Sequence, residues 1–252
     1  MTYCCGILVR DGLVMIADTR TNAGLDNVST FRKLQVFENP GERAMALASA
    51  GNLSITQSVL GFLSEGMKNE ETGEIETIMN APTMFQAAQR VGKAVRRVRA
   101  MDGPGLEQDG VRFEASFLFG GQISQRRLRL FMIYAAGNFI ECTVDTPYLQ
   151  IGEHKYGKPI LDRAIKFDTS LNDALKIGLI SMDSTMRSNL AVGMPIDIAI
   201  FDRDMCRAET NYRIEPGEAY FHDLRERWSA ALRRAHMDIP PPPYQGTNLR
   251  GK

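Results

Sequence analysis

Cys4-Cys5-Gly6-Ile7-Leu8-Val9-Arg10-Asp11-Gly12-Leu13-Val14-Met15-Ile16-Ala17 is the stretch whose reading decides the fold class. Two apolar runs, Cys4 to Val9 and Leu13 to Ala17, flank Arg10-Asp11-Gly12, and an Asp-Gly between apolar runs is the strongest short-range signal for a β-hairpin. Working outward, Phe31 to Phe37 reads as a third strand closed by Asn39-Pro40-Gly41. Ala44 to Ala50 reads as a fourth, made of small apolar residues and ending at Gly51.

The hydrophobic period then changes. Ile55, Val59, Leu60 and Phe62-Leu63 recur at helical spacing behind a Ser54-x-x-Gln57 capping box. Residues 65–80 are polar and read as a loop. Thr83-x-x-Gln86 opens a second helix with Phe85, Ala88, Val91, Val95 and Val98 on one side. Arg90, Lys93 and Arg97 form a basic stripe on the other, read as a solvated face rather than a polyanion site. Gly103-Pro104-Gly105 is expected to end it. Strands follow at Phe113 to Phe119, Leu128 to Tyr134, Phe139 to Val144 and Tyr148 to Ile151. A short helix over Pro159 to Ile165 precedes a longer one behind Ser170, with Asp173 in the capping-box position, running toward Ser188. Pro195 to Phe201 and Cys206 to Ile214 are strands, and Glu218 to Ala235 a final helix. Grouped strands and paired helices predict an α+β chain: two antiparallel sheets face to face with helix layers outside. One domain is expected over residues 1–238, followed by a loose Pro-rich tail over 239–252.

Composition excludes several function classes. Thirty basic side chains balance thirty acidic ones, so no nucleic-acid or membrane-surface partner is indicated. No apolar run approaches the ~18–20 residues that span a bilayer, and the N-terminus lacks the charged lead-in of a signal peptide. Cys4, Cys5, Cys142 and Cys206 show no CxxC spacing and read as buried free thiols in a reducing cytoplasm; Cys4 and Cys5, adjacent in a strand, point to opposite faces. His154, His222 and His236 lack metal-ligand spacing, so no metal or other cofactor is expected.

The chemistry starts at the second residue. Once Met1 is removed, Thr2 carries both a hydroxyl nucleophile and a free α-amine, whose ordinary pKa of ~7.7–8.0 suits a general base. Asp18 stands at the end of the second strand, which the hairpin brings back alongside Thr2; taken alone it reads as turn chemistry. Lys33 stands at the start of the third strand and, taken alone, reads as a solvated edge charge. Together they make a site: Lys33 beside the amine favours its neutral, basic form, Asp18 holds Lys33, and a Gly51 N–H meets a developing oxyanion.

Thr2, Asp18-x-Arg20, Phe31-x-Lys33 and Ser49-Ala50-Gly51 before a helix resemble the proteasome β-subunit and its bacterial relatives. Leu118-Phe119-Gly120-Gly121, Tyr148-Leu149-Gln150-Ile151-Gly152 and Gly193 match the same family's landmarks. Thr21-Asn22-Ala23-Gly24 and Lys155-Tyr156-Gly157-Lys158-Pro159-Ile160 are most similar to the bacterial Anbu group. The resemblance, over roughly residues 2–214, implies an αββα four-layer sandwich of the N-terminal-nucleophile hydrolase type. It implies Thr2 as nucleophile, with Asp18, Lys33 and Gly51 in the roles above, and assembly of many copies into a ring or helix. Three helper positions depart from the family's pattern. Glu153 stands where a serine is expected near the amine, and Asn189 and Val192 stand where an Asp and a Ser are expected.

The leading expectation is a threonine-dependent hydrolase of peptide or protein substrates. The alternatives are a small-amide or isopeptide amidohydrolase with the same nucleophile, or a non-catalytic assembly protein that keeps the fold for its subunit contacts. No GxxxxGK[ST] occurs, so unfolding of a protein substrate would call for a separate ATPase partner. Phe62, Leu63 and Met67 are candidates for an apolar assembly face, or equally for core.

Overall fold

The computed structural model describes residues 1–22 and 28–244; the Ala23-Gly24 part of the Anbu-like run and the end of the expected tail lie outside the described residues. In chain order the first half holds β1 (Tyr3–Val9), β2 (Gly12–Asp18), β3 (Arg20–Asn22), β4 (Val28–Thr30), β5 (Leu34–Asn39), β6 (Arg43–Gly51), α1 (Leu53–Glu65), β7 (Met67–Lys68), β8 (Ile75–Glu76) and α2 (Met84–Gln108). The second half holds β9 (Ala115–Ile123), β10 (Arg129–Ile133), β11 (Phe139–Glu141), β12 (Tyr148–Gly152), α3 (Lys158–Ala164), α4 (Leu171–Ser188), β13 (Ile196–Asp202), β14 (Thr210–Ile214) and α5 (Ala219–Met237). Contacts divide the chain into two compact units, Met1–Pro216 and Gly217–Lys252. The second carries α5, whose Glu218 cap accepts from the amides of Tyr220 and Phe221.

The first unit is the expected four-layer sandwich. One sheet has the order β12-β1-β2-β13-β14 and the other β11-β10-β9-β6-β5, with antiparallel neighbours throughout. Strand β6 shows why the layers stack. Its alternate residues Ala44, Ala46, Ala48 and Ala50 face the other sheet and meet Cys4, Leu13, Met15 and Ala17. Met45 and Leu47, pointing the other way, join Ile55, Val59, Val91 and Val95 of α1 and α2. A strand covered on both faces reads as a continuous apolar run, not an alternating one. The opposite helix layer lies on β1 and β2. There Gly178 of α4 comes so close to Ile16 and Ile7 that a Cβ would sit 2.6 Å from the Ile16 side chain. Tyr3 faces this layer, its hydroxyl 2.7 Å from Ser181. Cys4 packs between the sheets while Cys5 shares the Tyr3 face, as the strand period requires.

Several boundaries differ from the sequence reading. Helix α1 is capped by Asn52, whose side chain accepts from Ser54 N at 3.0 Å; Ser54 is already helical. Gly103-Pro104-Gly105 does not end α2, which runs to Gln108 with Pro104 inside it. Leu106, packed against the helix-side core, holds the extra turn. Gly120-Gly121 lies within β9, because these glycines let strands approach: a Cβ on Gly121, at φ +146°, would lie 2.2 Å from the Ala44 carbonyl. The last strand of the sheet starts at Thr210, and Cys206 lies in the loop before it at φ +45°.

The expected loop over 65–80 contains the β7–β8 hairpin, which explains the basic stripe. Arg90 donates to the Thr77 carbonyl at 2.6 Å, Lys93 pairs with Glu76 at 3.0 Å, and Arg97 lies over the Phe62 ring. Leu63 and Met67 are buried among the helix-side core residues, so of the two readings of that patch the core one holds for them. Among the described residues no helix is long and apolar enough to cross a membrane.

The cap assignment is checked by unfolding in urea. Asn52→Ala should cost about 1 kcal/mol, and Ser54→Ala should stay within about 0.5 kcal/mol of the parent.

Candidate active site

Three segments converge at the open end of the sandwich because β1 and β2 are antiparallel, with Cys4 opposite Ala17. That register sets Asp18, the last residue of β2, beside Tyr3 at the start of β1. The Asp18 side chain is fully buried. Its Oδ1 accepts from the Tyr3 amide at 3.1 Å and from Lys33 Nζ at 2.8 Å, and its Oδ2 accepts from the Gly193 amide at 3.2 Å. Burial pushes the Asp18 carboxyl above its ordinary value, and Lys33 and the two amides pull it back. Lys33, only 6% exposed, precedes β5 and makes a second bond, to the Arg20 carbonyl at 2.6 Å. It is therefore not the solvated edge charge that its position alone suggests.

Thr2 is buried between two hollows. The first, about 680 Å³, is lined by Thr2, Thr21, Lys33, Ser49, Gly51 and Arg112 among others. The second, about 550 Å³, is lined by Thr2, Gly51, Ser116, Tyr134, Gly152 and Glu153 among others. Gly51 borders both. Its φ of +116° and the Glu114 carbonyl, which a Cβ would approach to 2.3 Å, both demand glycine. The Thr2 carbonyl accepts from the Glu153 amide at 2.7 Å. Asn189, the C-cap of α4, donates from Nδ2 to Glu153 at 3.0 Å. Val192 is buried, its amide donating to the Asn189 carbonyl at 3.1 Å. All six candidate residues thus lie at one end of the fold: Thr2, Lys33 and Gly51 around the hollows, Asp18 buried behind Lys33, and Glu153 and Asn189 bonded to each other beside Thr2.

The sequence reading missed the parts that hold this arrangement. Arg20 donates to the Leu190 carbonyl at 2.7 Å and packs on Gly193, where a Cβ would lie 2.3 Å from the guanidinium carbon. The loop after α4 is thereby fastened over Asp18. Thr21, Asn52, Thr56 and Arg112 line the larger hollow, and Thr21 Oγ1 is buried without a hydrogen-bond partner. Asp18-x-Arg20 and Gly193 carried a signal for the first group; isolated hydroxyls carried none. Cysteine does not compete as nucleophile, since burial pushes the Cys5 thiol up to about 12 and Cys4 well above its ordinary value.

This fold is shared along nearly the whole chain. A Gly-1 mutant of Anbu from Hyphomicrobium sp. strain MC1 is 49% identical, covers 96% of this chain and 99% of its own, and superimposes with a TM-score of 0.87. The chain belongs to the Anbu family. Anbu (ancestral beta-subunit) from Yersinia bercovieri is 44% identical, covering 98% of this chain and 99% of its own at a TM-score of 0.86. A structure described as a helical assembly of the Anbu complex, from Pseudomonas aeruginosa, is 43% identical, covering 97% and 100% at 0.88. The proteasome subunit beta 2 of Pyrobaculum calidifontis is 26% identical over 205 residues, 81% of this chain and 90% of its own. No protein-family profile matches the chain. The sequence resemblance to proteasome-related Anbu proteins and the four-layer fold it implied are both borne out.

The buried pair makes a prediction with a definite sign. In Lys33→Met, Asp18 loses its cation and its folded-state pKa rises further above the unfolded value of ~3.9. Such a group favours the fold fully below the unfolded pKa and loses that contribution as pH rises through the folded one. The variant should therefore lose about 3–5 kcal/mol at neutral pH, with the deficit shrinking as the pH is lowered toward 4, as urea unfolding across that range would read out.

Proposed function

We propose that the chain is a threonine-dependent amide-bond hydrolase acting on peptides, with Thr2 as nucleophile once Met1 is removed. The observation that carries this reading is the Asp18 carboxylate, which receives Lys33 Nζ and the amide of the residue after Thr2 while Thr2, Lys33 and Gly51 line one hollow. In this reading the Thr2 hydroxyl adds to the substrate carbonyl as its proton passes to the α-amine. The oxyanion is met by the Gly51 N–H. The amine then returns the proton to the departing amine, leaving an ester on Thr2. Water, deprotonated by the same amine, releases the acid and restores Thr2.

Lys33 serves as a fixed positive charge that favours the neutral amine, and Asp18 positions Lys33. The two hollows on either side of Thr2 fit an extended peptide crossing the nucleophile. No group other than these side chains and backbone amides is needed, so no cofactor is invoked. The buried thiols fit a reducing compartment, and we place the protein in the cytoplasm on that ground. Because an Anbu relative is described as a helical assembly, we propose that this chain also works as a multi-copy assembly, with any ATPase partner a separate protein. A second reading, a non-catalytic assembly protein, is favoured by Asn189 and Val192 at two of the helper positions.

Intact mass separates the two, measured before and after exposure to an electrophile selective for N-terminal threonine. The hydrolase reading expects loss of Met1 and one stable adduct, absent in Thr2→Ala. A processed chain that never labels would sink it and support the assembly reading.

A further inference from the structure

Glu153 stands beside Thr2, and the reaction above leaves it unused. Its backbone is pressed onto that residue: the Glu153 amide donates to the Thr2 carbonyl at 2.7 Å, and a Cβ on Gly152 would lie 1.9 Å from the same oxygen. Thr2, Gly152 and Glu153 line one hollow. The side chain is no solvated surface charge, being only 10% exposed. Its Oε2 accepts from Asn189 Nδ2 at 3.0 Å, and Asn189 is held in turn by the Ala191 amide on its Oδ1 at 2.9 Å. The same Asn189 nitrogen lies 3.6 Å from Met1 Sδ, so Met1 reaches over the Glu153–Asn189 pair while it is attached. A largely buried carboxylate is costly unless compensated. Its charged partner here, Lys155, is 3.5 Å away and 68% exposed, a weak one. Removing Met1 turns the Thr2 nitrogen into an ammonium in the same hollow and supplies a nearby cation.

We propose that Glu153, oriented by Asn189, is a positioning residue for the Thr2 α-amine, accepting from its ammonium form and keeping it protonated to higher pH than Lys33 alone would. The inference rests on Thr2 as the N-terminal residue and adds regulation to that site: Glu153 opposes Lys33, so the amine reaches its basic form at a higher pH than it would without the carboxylate. The other charges around Thr2 do not replace Glu153. Asp18 is occupied by three donors. Lys33 opposes protonation of the amine. Glu114 lines both hollows but is exposed, so its charge is screened by water, and Arg112, exposed as well, lines the other one. Arg20 is committed to the Leu190 carbonyl, and the His154 ring to the Gly152 carbonyl. Lys155 competes for the carboxylate and weakens its hold.

The test uses the full chain released from a cleavable fusion, so that Thr2 is the first residue. It follows the pH dependence of acylation of the Thr2 amine by a small amine reagent, read from the mass of the N-terminal peptide. Glu153→Gln should lower the titration midpoint by about one pH unit or more, and Lys155→Ala should raise it; a merely structural disturbance would not move the two in opposite directions. An unchanged midpoint in Glu153→Gln overturns the inference. Should that variant not fold, a Lys155→Ala midpoint that fails to rise overturns it instead. The amine titration needs no turnover. A shifted amine in a protein that hydrolyses nothing would therefore sink the hydrolase reading alone, and turnover with an unshifted amine would sink this inference alone.

Discussion

The Asp18 carboxylate, fully buried at the end of β2, joins the chain's N-terminus, the residue before β5 and the loop before β13 through three donors: the Tyr3 amide, Lys33 Nζ and the Gly193 amide. An ionised carboxylate is expensive to bury, and each donor offsets part of that cost only when its own segment is in place. The geometry of the open end of the sandwich is therefore cooperative. Thr2 is set by the β1–β2 register, Lys33 by the start of the second sheet, and the α4–β13 loop by Arg20 and Gly193. Displacing any one of them strands the carboxylate.

The four-layer stack is what allows such a group to exist. Small residues between the sheets, the alanines of β6 above all, let the sheets approach closely, while Met45 and Leu47 on its other face anchor the helices. The burial that results puts Asp18 and Lys33 out of water, where a charge is worth more and an unpaired one costs more. The same burial pushes the thiols of Cys4 and Cys5, close to Thr2 in β1, above their ordinary range. Glycine is used where backbones must touch: Gly51 at the cavity rim, Gly121 against β6 and Gly152 against Thr2.

The departures at Glu153 and Asn189 gain meaning only as a pair. Each, taken singly along the chain, is the loss of a helper. Placed 3.0 Å apart beneath Met1, they form a part-buried polar contact next to Thr2, the residue whose nitrogen processing would turn into an amine. A carboxylate in that place makes the site different in kind from one built of hydroxyls, because it bears charge, which under our proposal sets the protonation of its neighbour.

Much of this protein was legible in its sequence. The hairpin around Asp11-Gly12, the paired helices, and Thr2, Asp18, Lys33 and Gly51 were all read there. Apolar period and turn chemistry are local, and the four residues lie close to strand ends that local pattern defines. Where local signals competed, the reading slipped: Ser54 in place of Asn52 as the cap, an end to α2 at Pro104, an end to β9 at Gly120-Gly121. At Pro104 and at Gly120-Gly121 packing from outside the segment decided, as Leu106 against the helix-side core and the Ala44 carbonyl against Gly121 show. The polar fastening of the site was decided only in three dimensions. Arg20 to Leu190, Gly193 to Asp18 and Asn189 to Glu153 join residues far apart in the chain through single hydrogen bonds, and a single bond leaves no periodic trace along a sequence.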